Sequence, residues 1–145
     1  MRKALLVFCV LLSAPLFQLA GAQALAADSP KKIVLQLSDS DPEKQTLVLS
    51  IANNLLKAYP PGNVKLEIVA FGPGMLLLFD DNVNKDRVQS LMASDVRFTS
   101  CNNTVKGMTK TLGYPPKITK HAVPVEAGVE RIVDLTAQGY TLIRP

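Results

Sequence analysis

Residues 32–58 read Lys-Ile-Val-Leu-Gln-Leu-Ser-Asp-Ser-Asp-Pro-Glu-Lys-Gln-Thr-Leu-Val-Leu-Ser-Ile-Ala-Asn-Asn-Leu-Leu-Lys-Ala. The first seven, 32–38, are rich in aliphatic and β-branched side chains, as a buried strand requires. Asp39-Ser40-Asp41-Pro42-Glu43 then supplies a helix start, because Ser40 and Glu43 have the spacing of a capping box and Pro42 suits a first turn. Leu47, Ile51, Leu55 and Ala58 recur at helical intervals over 43–58, and Tyr59-Pro60-Pro61-Gly62 ends the run. The reading is one strand followed directly by one helix.

The same alternation continues along the chain. Residues 64–71 predict a second strand, Gly72-Pro73-Gly74 breaks it, and 75–79 form an apolar segment expected to be a short helix. The spacing of Val88, Leu91 and Met92 predicts a helix over 86–94, followed by a third strand at 95–100 and a helix over 102–112. A Pro-containing loop leads to a short fourth strand at 121–125. A helix over 126–138, with Gly139 as its cap, leads to a last strand at 140–143.

Strands separated by helices predict a parallel sheet, since parallel neighbours need long crossovers and those crossovers are helices. The expected class is α/β, a flavodoxin-like three-layer fold with a mostly parallel sheet of about five strands. Ligands and chemistry in such sheets sit beyond the carboxyl ends of the strands, near the point where strand order reverses. Three loops qualify: Ser38-Asp39 after the first strand, Gly72-Pro73-Gly74 after the second, and Ser100-Cys101-Asn102 after the third.

At 145 residues, 48% of them hydrophobic and 19% charged, the chain is long enough for one globular domain. Its amino end has the form of a secretory leader. Met1-Arg2-Lys3 is a positive start, residues 4–12 are an unbroken apolar run, and 21–27 offer small residues for cleavage. The apolar run is well short of the roughly 20 residues that span hydrocarbon. The expected division is a signal peptide at 1–26 and a single domain at 27–145, placed in the periplasm or secreted, with no stable membrane insertion once the leader is gone. Removing Arg2 and Lys3 with the leader lowers the net charge from +4 to +2, and no Lys/Arg run remains, so nucleic acid is not an expected partner.

Cysteine counting then becomes informative. Of two cysteines, Cys9 leaves with the leader and Cys101 stands alone, so no internal disulfide is available. Cys101 falls between a strand and a helix whose first residues are Asn102, Asn103 and Thr104. A thiol at a helix amino end faces unpaired N–H groups and the positive end of the dipole, both of which favour thiolate. A free thiol of pKa about 8.5 is only about 3% ionised at pH 7, whereas a pKa of about 6.5 makes roughly three quarters of it nucleophilic. The other reading is a buried cysteine that merely packs.

The remaining residues exclude several chemistries. His121 is the sole imidazole, and its place at the start of the fourth strand argues for a satisfied or solvent-facing side chain, not a base for Cys101. One His and one Cys make no zinc set, and the spacing of Asp39, Asp41, Asp80 and Asp81 does not match a calcium loop, so no metal is expected. Gly72-Pro73-Gly74 lacks the third glycine of a dinucleotide loop, and there is no Gly-Lys-Ser/Thr, so no nucleotide cofactor is expected. These glycines instead let the backbone turn sharply and approach the Cys101 loop. Asn102-Asn103-Thr104 also matches a glycosylation sequon, which is read as incidental.

Three stretches carry a family resemblance: Val-Ala-Phe-Gly-Pro-Gly-Met at 69–75, Arg-Phe-Thr-Ser-Cys-Asn-Asn-Thr-Val-Lys-Gly at 97–107, and Val-Glu-Arg-Ile-Val-Asp-Leu-Thr-Ala-Gln-Gly-Tyr-Thr-Leu-Ile-Arg-Pro at 129–145. Together they resemble the DsrE/DsrF-like proteins of sulfur metabolism, over residues 32–145. The resemblance implies a flavodoxin-like fold, association into homo- or hetero-oligomers and, as in the sulfur-relay members, a cysteine that carries sulfane sulfur as a persulfide. That cysteine would be Cys101. Asn102, Asn103 and Thr104 would stabilise its anion, with Gly72, Pro73, Gly74 and Ser38 shaping access. The expected function is a sulfur carrier or sulfurtransferase-type protein that exchanges sulfur with polysulfide or with donor and acceptor proteins. The alternative is a non-catalytic binding or oligomeric assembly module with an inert cysteine, joined through the apolar 75–79 segment.

Overall fold

The computed structural model describes residues 29–145; the expected leader, 1–26, lies outside the described residues. Among the described residues, five strands form one sheet in the order β4-β3-β2-β1-β5, with every pair parallel. The strands are β1 (Lys31–Leu37), β2 (Val64–Ala70), β3 (Arg97–Cys101), β4 (Val123–Val125) and β5 (Thr141–Ile143). The helices are α1 (Pro42–Ala58), α2 (Lys85–Ala93), α3 (Asn102–Leu112) and α4 (Gly128–Ala137). This is the flavodoxin-like three-layer architecture the alternation predicts.

The strand order explains how the layers fill. From β1 to β4 the chain steps in one direction, so right-handed crossovers place α1, α2 and α3 on the same face. The step from β4 to β5 runs back past β1 and carries α4 to the opposite face. The two apolar cores follow this division. On the first face, Leu35, Leu37, Ile68 and Phe98 pack with Val48, Leu49, Val88 and Leu91; on the second, Val34 and Val69 pack with Ile132 and Leu135 of α4. Consecutive strand residues point to opposite faces, which is why Val34 and Leu35 belong to different cores.

Local departures have physical reasons. Asp41, not Ser40, caps α1: its carboxylate accepts the Glu43 N–H at 2.7 Å, two residues on, while Pro42 takes the first helical position. Residues Gly72–Leu78 wind as one 3-10 segment, so Gly72-Pro73-Gly74 starts the turn instead of interrupting it. Met75, Leu77 and Leu78 are fully buried in the first core, which makes this segment interior and not the subunit contact of the assembly reading. The fourth strand begins at Val123, with His121 in the turn before it, and α4 begins at Gly128, two residues later than the periodicity suggests. Gly139 follows the last turn of α4 with φ +85°, a left-handed position that favours glycine.

Gly74 and Gly107 illustrate two uses of the residue. A Cβ on Gly74 would collide with the Leu37 carbonyl, whereas one on Gly107, inside α3, meets nothing within 4 Å. Gly107→Ala is therefore expected to stabilise the fold by roughly 0.5–1 kcal/mol, and Gly74→Ala to destabilise it by about 1–3 kcal/mol, as measured by urea unfolding.

Candidate functional site

Because β1, β2 and β3 are neighbours in a parallel sheet, the loops after them line up along one carboxyl edge. All three loops singled out in the sequence lie there. They touch in series: Gly74 packs on the backbone of Leu37 and Ser38, and the Gly72 N–H donates to Thr104 Oγ1 at 2.8 Å in the first turn of α3. Thr104 in turn places its hydroxyl beside the Cys101 sulfur. Ser38 stands at one remove, its hydroxyl taking the Gln36 side-chain amide at 3.4 Å, and Pro73 is exposed. The connections leave the carboxyl ends of the adjacent strands β3 and β4 toward opposite faces, to α3 and α4, so the crevice of the sheet opens beside Cys101 at the end of β3.

Cys101 is both the last residue of β3 and the cap position of α3, and it is only 5% exposed. A second helix end meets it there. α4 starts at Gly128 with no side-chain cap, and Gly128 packs so tightly that a Cβ on it would lie 2.9 Å from Phe71 Cβ. The amides around the sulfur are therefore those of Asn103 and Thr104 from α3 and Gly128 from α4.

These groups decide the charge of the thiol. Burial pushes its pKa up, but the Thr104 hydroxyl and the amides of Gly128, Thr104 and Asn103 together outweigh burial and hold it below the ordinary thiol range. The amides act as directed dipoles more than as full caps. The side chain makes no capping bond to α3, the Asn103 N–H is donated to the Glu126 carbonyl at 3.1 Å, and Sγ lies 3.9 Å from that same carbonyl. A protonated thiol thus points its hydrogen at Glu126 O, and a thiolate turns to the N–H groups.

The segment before α4 is the part sequence reading missed. Glu126 supplies the carbonyl, its carboxylate pairs with Lys106 of α3 at 2.5 Å, and Gly128 supplies the amide. The pair is exposed and of small energetic weight. Its effect is to tie the start of α4 to α3. The one available signal was glycine at 128, small enough to let a helix end press against its neighbours.

Other candidates fall elsewhere. His121 is exposed at the amino end of the sheet, lining a half-open cavity of about 540 Å³ with Arg97, Phe98 and Val123, so it is separated from Cys101 by the length of the strands. Asp41 caps α1 and Asp39 pairs with Lys44 at 2.6 Å. Asn102 is half-buried in the first turn of α3, and the sequon's threonine is already engaged by Gly72. Among the described residues no three His, Cys, Asp or Glu side chains gather as a metal site, and no helix is long and apolar enough to cross a membrane.

Fold and site together define an α/β protein of the flavodoxin-like class with one thiol at the carboxyl edge of its sheet. Among solved structures it is similar to MTH1491, a protein of unknown function from Methanobacterium thermoautotrophicum, with 27% sequence identity and a TM-score of 0.72 over 79% of this chain and 99% of that one. No protein-family model and no curated protein matches the chain.

The lowered thiol pKa carries a prediction with a definite sign. A depressed folded-state value contributes stability that is complete above the unfolded value and is lost as pH falls through the folded one. The stability difference between the native chain and Cys101→Ser should therefore grow with pH. Iodoacetamide modification of the folded protein should show a midpoint below that of the same thiol in the urea-unfolded chain, and Thr104→Val should move the folded midpoint upward.

Proposed function

We propose that the chain is an exported DsrE-like sulfur carrier, with Cys101 as the atom that is loaded and unloaded. The observation that carries this reading is the convergence of the α3 and α4 amino ends and the Thr104 hydroxyl on one buried sulfur, which lowers its pKa against the effect of burial. Export rests on the leader pattern at 1–26, and the sulfur cargo on the resemblance at 69–75, 97–107 and 129–145.

The chemistry balances without an added oxidant. The Cys101 thiolate attacks a sulfane sulfur of a polysulfide or a protein persulfide; a new S–S bond forms, the donor S–S bond breaks, and its electron pair leaves on the shortened polysulfide or the donor thiolate. Unloading reverses the roles: an acceptor nucleophile attacks the outer sulfur, and the Cys101 thiolate leaves. A low thiol pKa favours the second step directly, because the better-stabilised thiolate is the better leaving group. Asn103, Thr104 and Gly128 would hold the anion in both steps, and the Gly72–Gly74 turn would fix Thr104 through its 2.8 Å bond.

Association of copies has its own supporting observation. On the outer side of α4, Val129 and Val133 are 58% and 60% exposed and one turn apart, and Leu142 of β5 is also exposed. We place the expected homo-oligomer contact there instead of at the buried 75–79 segment.

The relay reading is tested by incubating the chain, cleaved of its leader, with inorganic polysulfide and weighing it intact. The expected result is an adduct of whole sulfur atoms that dithiothreitol removes and Cys101→Ser abolishes. No adduct, or one that survives Cys101→Ser, rejects it.

A further inference from the structure

Among the described residues α4 is the only helix on its face of the sheet, and its apolar footing is small: Ile132 and Leu135 on Val34 and Val69, with Phe71 and Tyr140 at the margin. Two valines in the middle of a sheet resist separation but do little to fix how a helix is rotated or slid upon them. A polar cluster beside them does that. Glu67, on β2, is 2% exposed, and Arg131 grips its carboxylate through both branches, Nε to Oε1 at 2.8 Å and Nη2 to Oε2 at 2.7 Å. Thr99, on β3, donates to Oε1 at 2.6 Å, and Arg97 Nε stands 3.7 Å from Oε2.

A two-point guanidinium–carboxylate fork fixes direction as well as distance, which a lysine ammonium does not. Arg131 lies one helical turn from Gly128, the residue whose amide faces the Cys101 sulfur. Gly128 in turn is stopped by Phe71, the residue just past the end of β2, which carries Glu67. The first turn of α4 is therefore held at two places: tethered at Glu67 on β2 and stopped at Phe71 just beyond that strand's end.

We propose that Arg131 is a positioning residue for Cys101: its fork on buried Glu67 sets the seat of α4 and thereby keeps the Gly128 amide on the sulfur. This rests on the reading that Cys101 works as a thiolate. The charged groups facing each partner are few. Around the Glu67 carboxylate they are Arg131 and Arg97, Arg131 also feels Asp134 and Tyr140, and near Cys101 the charges are the mutually paired Glu126 and Lys106.

The variant pair is chosen so that direct charge effects cancel. Glu67→Gln with Arg131→Met removes both charges at similar volume and leaves no bare carboxylate in the sheet, while Arg131→Lys keeps the charge and loses the fork. Two readouts are taken on each: the pH midpoint of Cys101 alkylation, and the amide proton resonance of Gly128 across the same titration. The double variant should raise the midpoint by about one unit, cutting alkylation near neutral pH about tenfold, and should uncouple the Gly128 resonance from Cys101 ionisation. Arg131→Lys should fall between it and the native chain. A folded double variant with the native midpoint and a Gly128 resonance that still titrates overturns the proposal. If the double variant does not fold, Arg131→Lys decides by the same two readouts, and native values for both again overturn it. The polysulfide adduct of the native chain is scored separately, because its absence removes the relay reading without touching either readout.

Discussion

Two helices begin at the same sulfur, and much of the site's arrangement can be understood from that. The amides at a helix start have no partners inside their own helix, so burying such an end without a cap is costly. α3 starts with Cys101 in its cap position, and α4 starts with Ala127, whose side chain caps nothing. Each helix lacks a polar cap, and each is brought to the one polarisable atom that gains from their exposed N–H groups. A thiolate there gains from the Thr104 and Gly128 amides that polar caps would otherwise take, while the Asn103 N–H goes to the Glu126 carbonyl. The cost is that the neutral thiol leaves the arrangement less well paired, with Glu126 O at 3.9 Å as its acceptor.

The two helices reach that point by different routes. α3 follows directly from β3, so its position is set by the strand. α4 comes from the opposite face and depends on the loop Glu126–Ala127, the Lys106 contact, and its seat over β2. The Gly72 turn adds a third constraint through Thr104, whose oxygen accepts the Gly72 N–H and whose hydrogen is thereby left for the sulfur. The site is thus assembled from β2, β3 and β4 connections, each short and each with little freedom. Gly72 itself takes φ +52°, a conformation that a side chain would oppose.

Architecture was legible because it rests on patterns that repeat: aliphatic strands, helices with apolar faces, and turn residues between them. Edges were legible only to within a residue or two, since Asp41 and Ser40 compete for the same cap and only the backbone decides between them. The position of Cys101 between strand and helix was readable for the same reason. What could not be read was contact between distant segments. Nothing in the local pattern of 126–131 says that Gly128 meets residue 101 or that Arg131 meets residue 67, because such pairings arise from the crossing of α4 over the sheet. Glu67 shows this most clearly. It is a charge within the strand Val-Lys-Leu-Glu-Ile-Val-Ala, yet it is buried and paired with Arg131 and Thr99, residues that only the fold brings to it. The helix over 126–138 was visible, but that α4 would be alone on its face follows from strand order.

β4 closes the sheet on one side with three residues, Val-Pro-Val. Proline has no amide hydrogen, so this border strand carries only two N–H groups, and a ladder cannot be continued across it in the regular way. A neighbouring polypeptide in extended form finds no template there. Copies that meet along that border must do so through side chains and not by lengthening the sheet, so unfolded forms of the chain gain no purchase on it.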